Sequence, residues 1–310
     1  MDKQYTECEF MRLEPGVSSR SESSFDRSNK HLRDVILVGL TSIQAWVEAF
    51  IHLRGRRPVV VAYFFLFMLL FLVVRPALMA LGFQRPNFSW VYAKSNNLWL
   101  IRRPDGLLFY CRPLPAADII VQSDSYESKL QFAFAQIKSG TFLDVGAHIG
   151  KYTVSAARRL NGRGRVLAVE PEDENYQILR RNIAANNLDN VVCFQGACFS
   201  SNTCLKLFVN ENAARHSLIS ADTGSFQYVD ARTIDWLVEK FKVTDLSVIK
   251  IDVEGAESEV LKGANRTLKV QHPQIVFEAP TLIELRKCRR VLSEYGYHVH
   301  YLQPSYYHAA

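Results

Sequence analysis

The segment Phe142-Leu143-Asp144-Val145-Gly146-Ala147-His148-Ile149-Gly150 constrains the fold of this chain more than any other. An apolar run ends in an acid, and a glycine-spaced turn then opens a helical pattern. A second apolar run, Val166 to Val169, ends in Glu170. Parallel α/β sheets build a nucleoside pocket in this way, at the carboxyl ends of their first two strands.

The loop limits what can bind. Glycine lacks a Cβ, so the backbone turns tightly and comes close to a ligand. The dinucleotide fingerprint requires G-x-G-x-x-G, whose middle glycine admits a pyrophosphate. Ala147 and His148 occupy that region between Gly146 and Gly150, so the match to NAD or FAD fails. No G-K-[ST] follows, which excludes a P-loop. An adenosine ligand without pyrophosphate fits better, and S-adenosylmethionine is the candidate cofactor. Glu170 is expected to accept hydrogen bonds from both ribose hydroxyls, because an ionised carboxylate offers two acceptor oxygens. Asp144 is expected to orient the amino-acid end of the cofactor, directly or through water. The competing view is that the two glycines only shape a strand-to-helix turn in another α/β protein; Glu170 weighs against it.

Upstream, the chain changes character twice. Residues 1–34 are polar and rich in Ser, Arg and Glu, which predicts a disordered tail. Residues 35–83 form an apolar region predicted to be a helical membrane anchor. Its strongest part, Pro58 to Val74, meets the lower limit of about 17 residues for a span. Membrane association is therefore expected through residues 58–83, as a single pass or as a hairpin with residues 35–53. Basic residues flank the run on both sides (Arg54, Arg56 and Arg57; Arg75, Arg85 and Lys94), so the positive-inside bias is slight. A cytosolic cofactor favours a cytoplasmic catalytic domain. The net charge of +6 comes without an interleaved basic and aromatic stripe, so no nucleic-acid partner is expected. Six cysteines show no C-x-x-C pair and no metal-ligand spacing, which predicts free thiols in a reducing compartment.

From residue 90 to 310 the pattern is that of one α/β domain. A hairpin is expected at Leu98–Arg102 and Leu107–Arg112 around Pro104-Asp105-Gly106, and a helix over Ser125–Lys138. Strands are then expected at Thr141–Val145, Arg165–Glu170, Val191–Gly196, Leu246–Asp252, Gln274–Glu278 and Tyr297–Leu302. Helices are expected at Lys151–Leu160, Asn175–Asn186, Thr233–Phe241, Ala256–Lys269 and Thr281–Tyr295. This alternation implies a three-layer α/β/α fold around a mostly parallel sheet.

A second acidic segment carries the chemistry. Lys250-Ile251-Asp252-Val253-Glu254-Gly255-Ala256-Glu257 ends a buried strand and opens a helix. Period two places Lys250, Asp252 and Glu254 on one side if the strand stays extended. A lysine in a buried strand needs a partner, and Asp252, Glu254 or Glu278 would supply one. Strand ends border the active crevice in such sheets, so Asp252, Glu254 and Glu278 should converge near the loop at 146–150. A buried ion network that merely orients the sheet edge is the structural alternative, and Glu257 suits it as a first-turn acid. His216 is a further candidate base.

The ordered set D-V-G-A-H-I-G-K-Y-T (144–153), V-E-P (169–171), K-I-D-V-E-G-A-E with V-L-K-G-A (250–264) and I-V-F-E (275–278) resembles the FkbM family of class I S-adenosylmethionine-dependent methyltransferases, over about residues 120–300. The resemblance implies a Rossmann-like, seven-stranded sheet and methyl transfer to a hydroxyl, often on a sugar or polyketide. It implies a cofactor site at Asp144, Gly146, Ala147, His148, Gly150, Glu170 and Pro171, with Ala197 near the adenine. Many family members carry Asn where this chain has His148. The resemblance also places Asp252 opposite the transferred methyl group. Asp252 is thus expected to be the base or a metal ligand, supported by Glu254 and Glu278, with Lys250 holding the carboxylates. The spacing of ligand types supports no metal site, although a divalent metal would serve the same chemistry. The acceptor is expected to be a sugar, glycan, lipid-linked glycan or similar metabolite. Its contacts should come from variable loops, residues 200–230 and the segment near 120–130, with Tyr126, Glu127, His216 and Tyr228 as candidates. A non-catalytic, membrane-tethered cofactor-binding scaffold is the alternative function.

Overall fold

A computed structural model describes residues 98–112, 118, 122, 129–130, 134, 137–208 and 226–310. The expected tail, the anchor region 35–83, most of the helix over Ser125–Lys138, and Tyr126, Glu127 and His216 lie outside these residues. Among the described residues no helix is long and apolar enough to cross a membrane.

Two compact units divide between residues 126 and 127. In the first, strands β1 (Trp99–Arg102) and β2 (Leu108–Cys111) form the expected antiparallel hairpin. Gly106 turns it at φ 86°. Asp118 accepts hydrogen bonds from the backbone N–H, Nε and Nη2 of Arg112, which keeps that buried guanidinium paired.

The second unit begins with β3 (Gly140–Val145), α1 (Lys151–Leu160), β4 (Gly164–Glu170), α2 (Asp173–Ala185) and β5 (Val191–Gln195). Strands β6 (Ala197–Cys198), β7 (Thr203–Phe208) and β8 (Phe226–Arg232) follow. Then come α3 (Ile234–Lys240), β9 (Leu246–Ile251), α4 (Glu257–Lys262), α5 (Asn265–Val270), β10 (Gln274–Glu278), α6 (Leu282–Ser293), β11 (Val299–Gln303) and β12 (Tyr306–Ala309). The main sheet has seven strands in the order β11-β12-β10-β9-β3-β4-β5. The five strands from β10 to β5 are joined by four parallel ladders, and β12 runs antiparallel to both of its neighbours. The fold is thus the expected Rossmann-like α/β architecture around a mostly parallel seven-stranded sheet. Strand order reverses at β3, which puts the crevice at the carboxyl ends of β3, β4 and β9.

All six residues of β3 are buried, as befits a central strand. Leu143 and Val145 pack with Ile249, Ile251, Leu237, Leu261 and Leu285 on one face. Phe142 packs with Tyr152, Ala156 and Leu160 of α1 on the other. Alternation therefore places Asp144 on the α1 face, beside the ends of the parallel strands.

Several boundaries differ from expectation. The helix over Ala256–Lys269 is two helices, because Gly263 caps α4 and its Cα lies against the Phe199 carbonyl, where a Cβ would overlap. Residues 200–230 are not simply loop: β6, β7 and β8 form a separate three-stranded sheet. The C-terminal segment adds β12, which turns back after Ser305 at φ 64°. Cys111, Cys193, Cys198 and Cys288 are free thiols. Cys204 is disulfide-bonded, contrary to the expectation of free thiols throughout.

Gly146 does a different job from the one its ligand-facing position suggests. It sits at φ 77°, and a Cβ there would overlap the Asp252 carbonyl oxygen. The loop thus packs directly on the end of β9. Gly146→Ala should destabilise the fold by at least about 1–2 kcal/mol from the left-handed backbone alone, with the overlap adding to it. Denaturant unfolding checks this, and a loss below about 0.5 kcal/mol, ordinary for a neutral surface change, would contradict it.

Candidate active site

The loop after β3 is held by short backbone ties. The N–H groups of Gly146 and Ala147 both donate to the Val169 carbonyl on β4, each at 3.0 Å. Asn182 on α2 donates to the Ile149 carbonyl at 2.7 Å. Gly150, at φ 95°, then starts α1. His148 lies at φ 51°, a left-handed conformation in which Asn, Asp and His are the enriched non-glycine residues. Its backbone N–H donates to Glu170 Oε2 at 2.7 Å. Position 148 is therefore a backbone position first, and this conformation suits Asn and His alike.

Glu170 ends β4 and is buried. Its Oε1 accepts from the Glu172 N–H at 3.0 Å and from Asn175 Nδ2 at 3.4 Å. Burial pushes its carboxyl up to about 7, against the hydrogen bonds from Glu172 and His148, which pull it down. Glu172 caps α2 by accepting from the N–H groups of Glu174 and Asn175. Pro171 lies between them, and its carbonyl accepts from Gln227 Nε2 at 2.9 Å, tying β8 to this corner. Ala197 is buried on β6 in a small apolar cluster with Leu207, Val229 and Ala231. Tyr228 is on β8, where its ring and that of Phe226 lie beneath the Lys206 ammonium.

Asp144 and Lys250 are register partners on adjacent parallel strands. Both are buried, and Lys250 Nζ lies 3.3 Å from Asp144 Oδ1. The other oxygen, Oδ2, accepts from Thr153 Oγ1 of α1 at 2.6 Å. Lys250 also donates to the Gly146 carbonyl at 3.0 Å and lies 3.5 Å from Asp252 Oδ2. A buried ammonium is costly unless paired, and here one lysine joins the glycine loop to the acid at the end of β9. Sequence reasoning placed Lys250 among acids but missed Asp144 as its main partner.

Asp252, Glu254 and Glu278 do converge: oxygens from all three lie within 4.8 Å of one another. The route differs from the expected one. Strand β9 ends at Ile251, and Glu254 sits at φ 54° in a turn, so period two does not carry it to the site. Glu278 reaches Asp252 from the end of the neighbouring β10 and hydrogen-bonds it. Burial, then the charges of Asp252 and Glu254, push the Glu278 carboxyl up to about 10. Glu278 therefore holds its proton toward Asp252, which lies beside Lys250. Glu257 is buried at the start of α4, where Oε1 accepts from the N–H groups of Val253 and Gly255 at 3.1 Å. It braces the turn that carries Glu254, and burial raises its carboxyl to about 7. Tyr306 on β12, which no sequence signal singled out, donates to Asp252 Oδ2 at 3.0 Å.

Two carboxylates at the ends of β3 and β4, a glycine loop between them and an acid pair beyond it make one continuous crevice edge. Residues 144–299, half of the chain, match the profile of the methyltransferase FkbM domain. The chain belongs to the FkbM methyltransferase family. Methyltransferase sdnD of Sordaria araneosa is 28% identical over 43% of this chain and 64% of its own length. The chain thus spans less than two thirds of that relative. Among solved structures, the FkbM methyltransferase of Methylobacillus flagellatus KT is 22% identical, covers 56% of this chain and 44% of its own, and has a TM-score of 0.39. TYW2 of M. jannaschii in complex with AdoMet is 15% identical, covers 69% of this chain and 84% of its own, and also has a TM-score of 0.39. The match to the FkbM domain begins at Asp144 and takes in Glu170, Lys250, Asp252 and Glu278, but stops before Tyr306.

The donor set fits S-adenosylmethionine. Asp144 Oδ1 is buried and receives no hydrogen bond among the described residues, meeting Lys250 only as an ion pair. It retains acceptor capacity for an ammonium group. Glu170 has room on its four lone-pair sites for hydroxyl donors beyond the backbone N–H groups it already holds.

Proposed function

We propose that this domain is an O-methyltransferase that takes its methyl group from S-adenosylmethionine and delivers it to a hydroxyl of a sugar, glycan or lipid-linked glycan. When bound, that cofactor supplies an electrophilic methyl on a sulfonium. Glu170 holds the ribose hydroxyls, Asp144 orients the amino-acid end, and Gly146, Ala147, His148, Gly150 and Pro171 shape the surrounding backbone. Ala197 lies on the strand expected to border the adenine.

The convergence of Asp252, Glu254 and Glu278 beside the Asp144–Lys250 pair carries this reading. A sugar hydroxyl is a weak nucleophile at neutral pH and needs a base. Asp252 accepts its proton at Oδ1, whose two lone pairs leave a site even beside a bond from Glu278, since Oδ2 is held by Tyr306 and Lys250. Glu278, already protonated, donates to Asp252. The Lys250 ammonium, 3.5 Å from Asp252 Oδ2, repels a divalent cation at the same carboxylate, which favours the base role over the metal-ligand role.

The apolar region 58–83 motivates a membrane-linked acceptor and a membrane-tethered enzyme with its catalytic domain on the cytoplasmic side, where the cofactor is made. The test is incubation of the full chain with methyl-labelled S-adenosylmethionine and fractionated membrane glycolipids. Label is expected in an alkali-stable ether of a glycolipid hydroxyl, and excess chelator should not stop transfer. Transfer only to soluble metabolites would defeat the glycolipid assignment. Loss in chelator with recovery in Mg²⁺ would convert Asp252 from base to metal ligand.

A further inference from the structure

Tyr306 lies outside the stretch that matches the FkbM domain, on a strand that runs antiparallel to the rest of the sheet. Its register partner on β10 is Glu278. The side chain is buried, and its hydroxyl donates to Asp252 Oδ2 at 3.0 Å. Lys250 approaches the same oxygen at 3.5 Å from the other strand neighbour. Two donors from β9 and β12 therefore converge on one carboxylate oxygen, while Glu278 supplies a proton to the same side chain from β10. A hydrogen bond from a neutral hydroxyl to a charged oxygen is short and strong compared with one between neutral groups. It fixes the rotation of the carboxylate about its Cβ–Cγ bond. Catalytic geometry tolerates little error, and misplacement by about 1 Å is enough to cost a large share of the rate.

We propose that Tyr306 is a positioning residue for methyl transfer: its hydroxyl locks Asp252 in the orientation in which the opposite oxygen meets the acceptor hydroxyl. A buried tyrosine that merely satisfies its own hydroxyl would need only a backbone carbonyl. Here it engages the one acid that the reaction uses, beside the protonated partner of that acid. The inference rests on Asp252 being the base, and the same set of variants separates the two ideas. The ionisable groups around Asp252 are Lys250, Glu254, Glu257 and Glu278, with Asp144 behind Lys250 and the Tyr152 ring 5.5 Å from its ammonium.

Two readouts test it on the full chain. The first needs no acceptor: at a pH above the values of about 7 for Glu170 and Glu257 and below the value of about 10 for Glu278, infrared spectra should contain a protonated carboxyl band that Glu278→Gln abolishes. Tyr306→Phe should shift that band, because Asp252 then pulls harder on the Glu278 proton. The second is a double-mutant cycle on label transfer to the glycolipid fraction. Tyr306→Phe should lower transfer about tenfold with Asp252 present, the scale of one hydrogen bond to a charged group. In the Asp252→Asn background it should cost less than about twofold, since nothing remains to position. S-adenosylmethionine affinity should be unchanged in every variant. An unmoved band together with equal losses in both backgrounds would overturn the role of Tyr306 while leaving the base intact. If Asp252→Asn leaves transfer unchanged, the base assignment fails, and the band still reports whether Tyr306 holds the acid pair. Should Tyr306→Phe not fold, Tyr306→His keeps a ring and an N–H donor. It should then retain the wild-type band, and a shifted band with full transfer would count against the proposal.

Discussion

Asp252→Asn should lower methyl transfer at least about 100-fold, the usual scale for losing a general base, while S-adenosylmethionine affinity stays within about twofold. Asparagine keeps the shape of the side chain and an oxygen for Tyr306 and Lys250 to donate to. It cannot take a proton from an acceptor hydroxyl. The distance relations around Lys250, at 3.3 Å from Asp144 and 3.0 Å from the Gly146 carbonyl, do not depend on residue 252, so the cofactor side of the crevice should persist. One compensation is built in. The charge of Asp252 is the largest cause, after burial, of the raised Glu278 carboxyl. Removing that charge lets Glu278 ionise at a lower pH and offers a substitute base. The residual activity of Asp252→Asn should therefore rise with pH, and Asp252→Asn with Glu278→Gln should fall further than either change alone. The measurement is single-turnover label transfer across pH, paired with calorimetric titration of the cofactor. Turnover within about threefold of wild type would remove Asp252 from the chemistry.

The parts of the site that sequence made legible are those fixed by local backbone rules. Strand β3, the glycine loop and α1 were readable almost to the residue, because Gly146 and Gly150 must adopt left-handed conformations at defined places. Glu170 was readable because a strand end places its side chain at the crevice whatever packs around it. The identity of position 148 made sense only once its φ of 51° and its backbone bond to Glu170 were visible. Contacts between distant strands were not legible. Asp144 and Lys250 meet through strand register across 106 positions of chain, and no local pattern encodes which parallel strands adjoin. Glu254 reaches the acid cluster through a left-handed turn that period two does not describe. Strands β7 and β8 alternate only in part, over Leu205-Lys206-Leu207 and Val229-Asp230-Ala231, runs too short to mark a strand from sequence. Tyr306 follows Pro304 in a short terminal run that looks like a tail until β10 gives it a partner.

Glu170→Ala should weaken S-adenosylmethionine binding at least about 100-fold, equivalent to about 2.7 kcal/mol. Two ribose hydroxyls donating to an ionised carboxylate account for that much, since hydrogen bonds to charged groups contribute about 1.5–3 kcal/mol each. Alanine also releases the N–H groups of His148 and Glu172, so part of the loss would be loop disorder. Glu170→Gln largely separates the two effects, because its single amide oxygen still accepts from one of those N–H groups but carries no charge. The pH dependence gives a sharper criterion. Burial raises the Glu170 carboxyl to about 7 in the ligand-free protein. Hydroxyl donors favour the ionised form, so a bound ribose lowers that value. Affinity is then full above about pH 7 and weakens as pH falls through it, and binding near neutrality releases protons. The calorimetric heat should accordingly vary with the ionisation enthalpy of the buffer in the wild type and not in Glu170→Gln. Unchanged affinity in Glu170→Ala, or affinity that tightens as pH falls, would remove Glu170 from the ribose site.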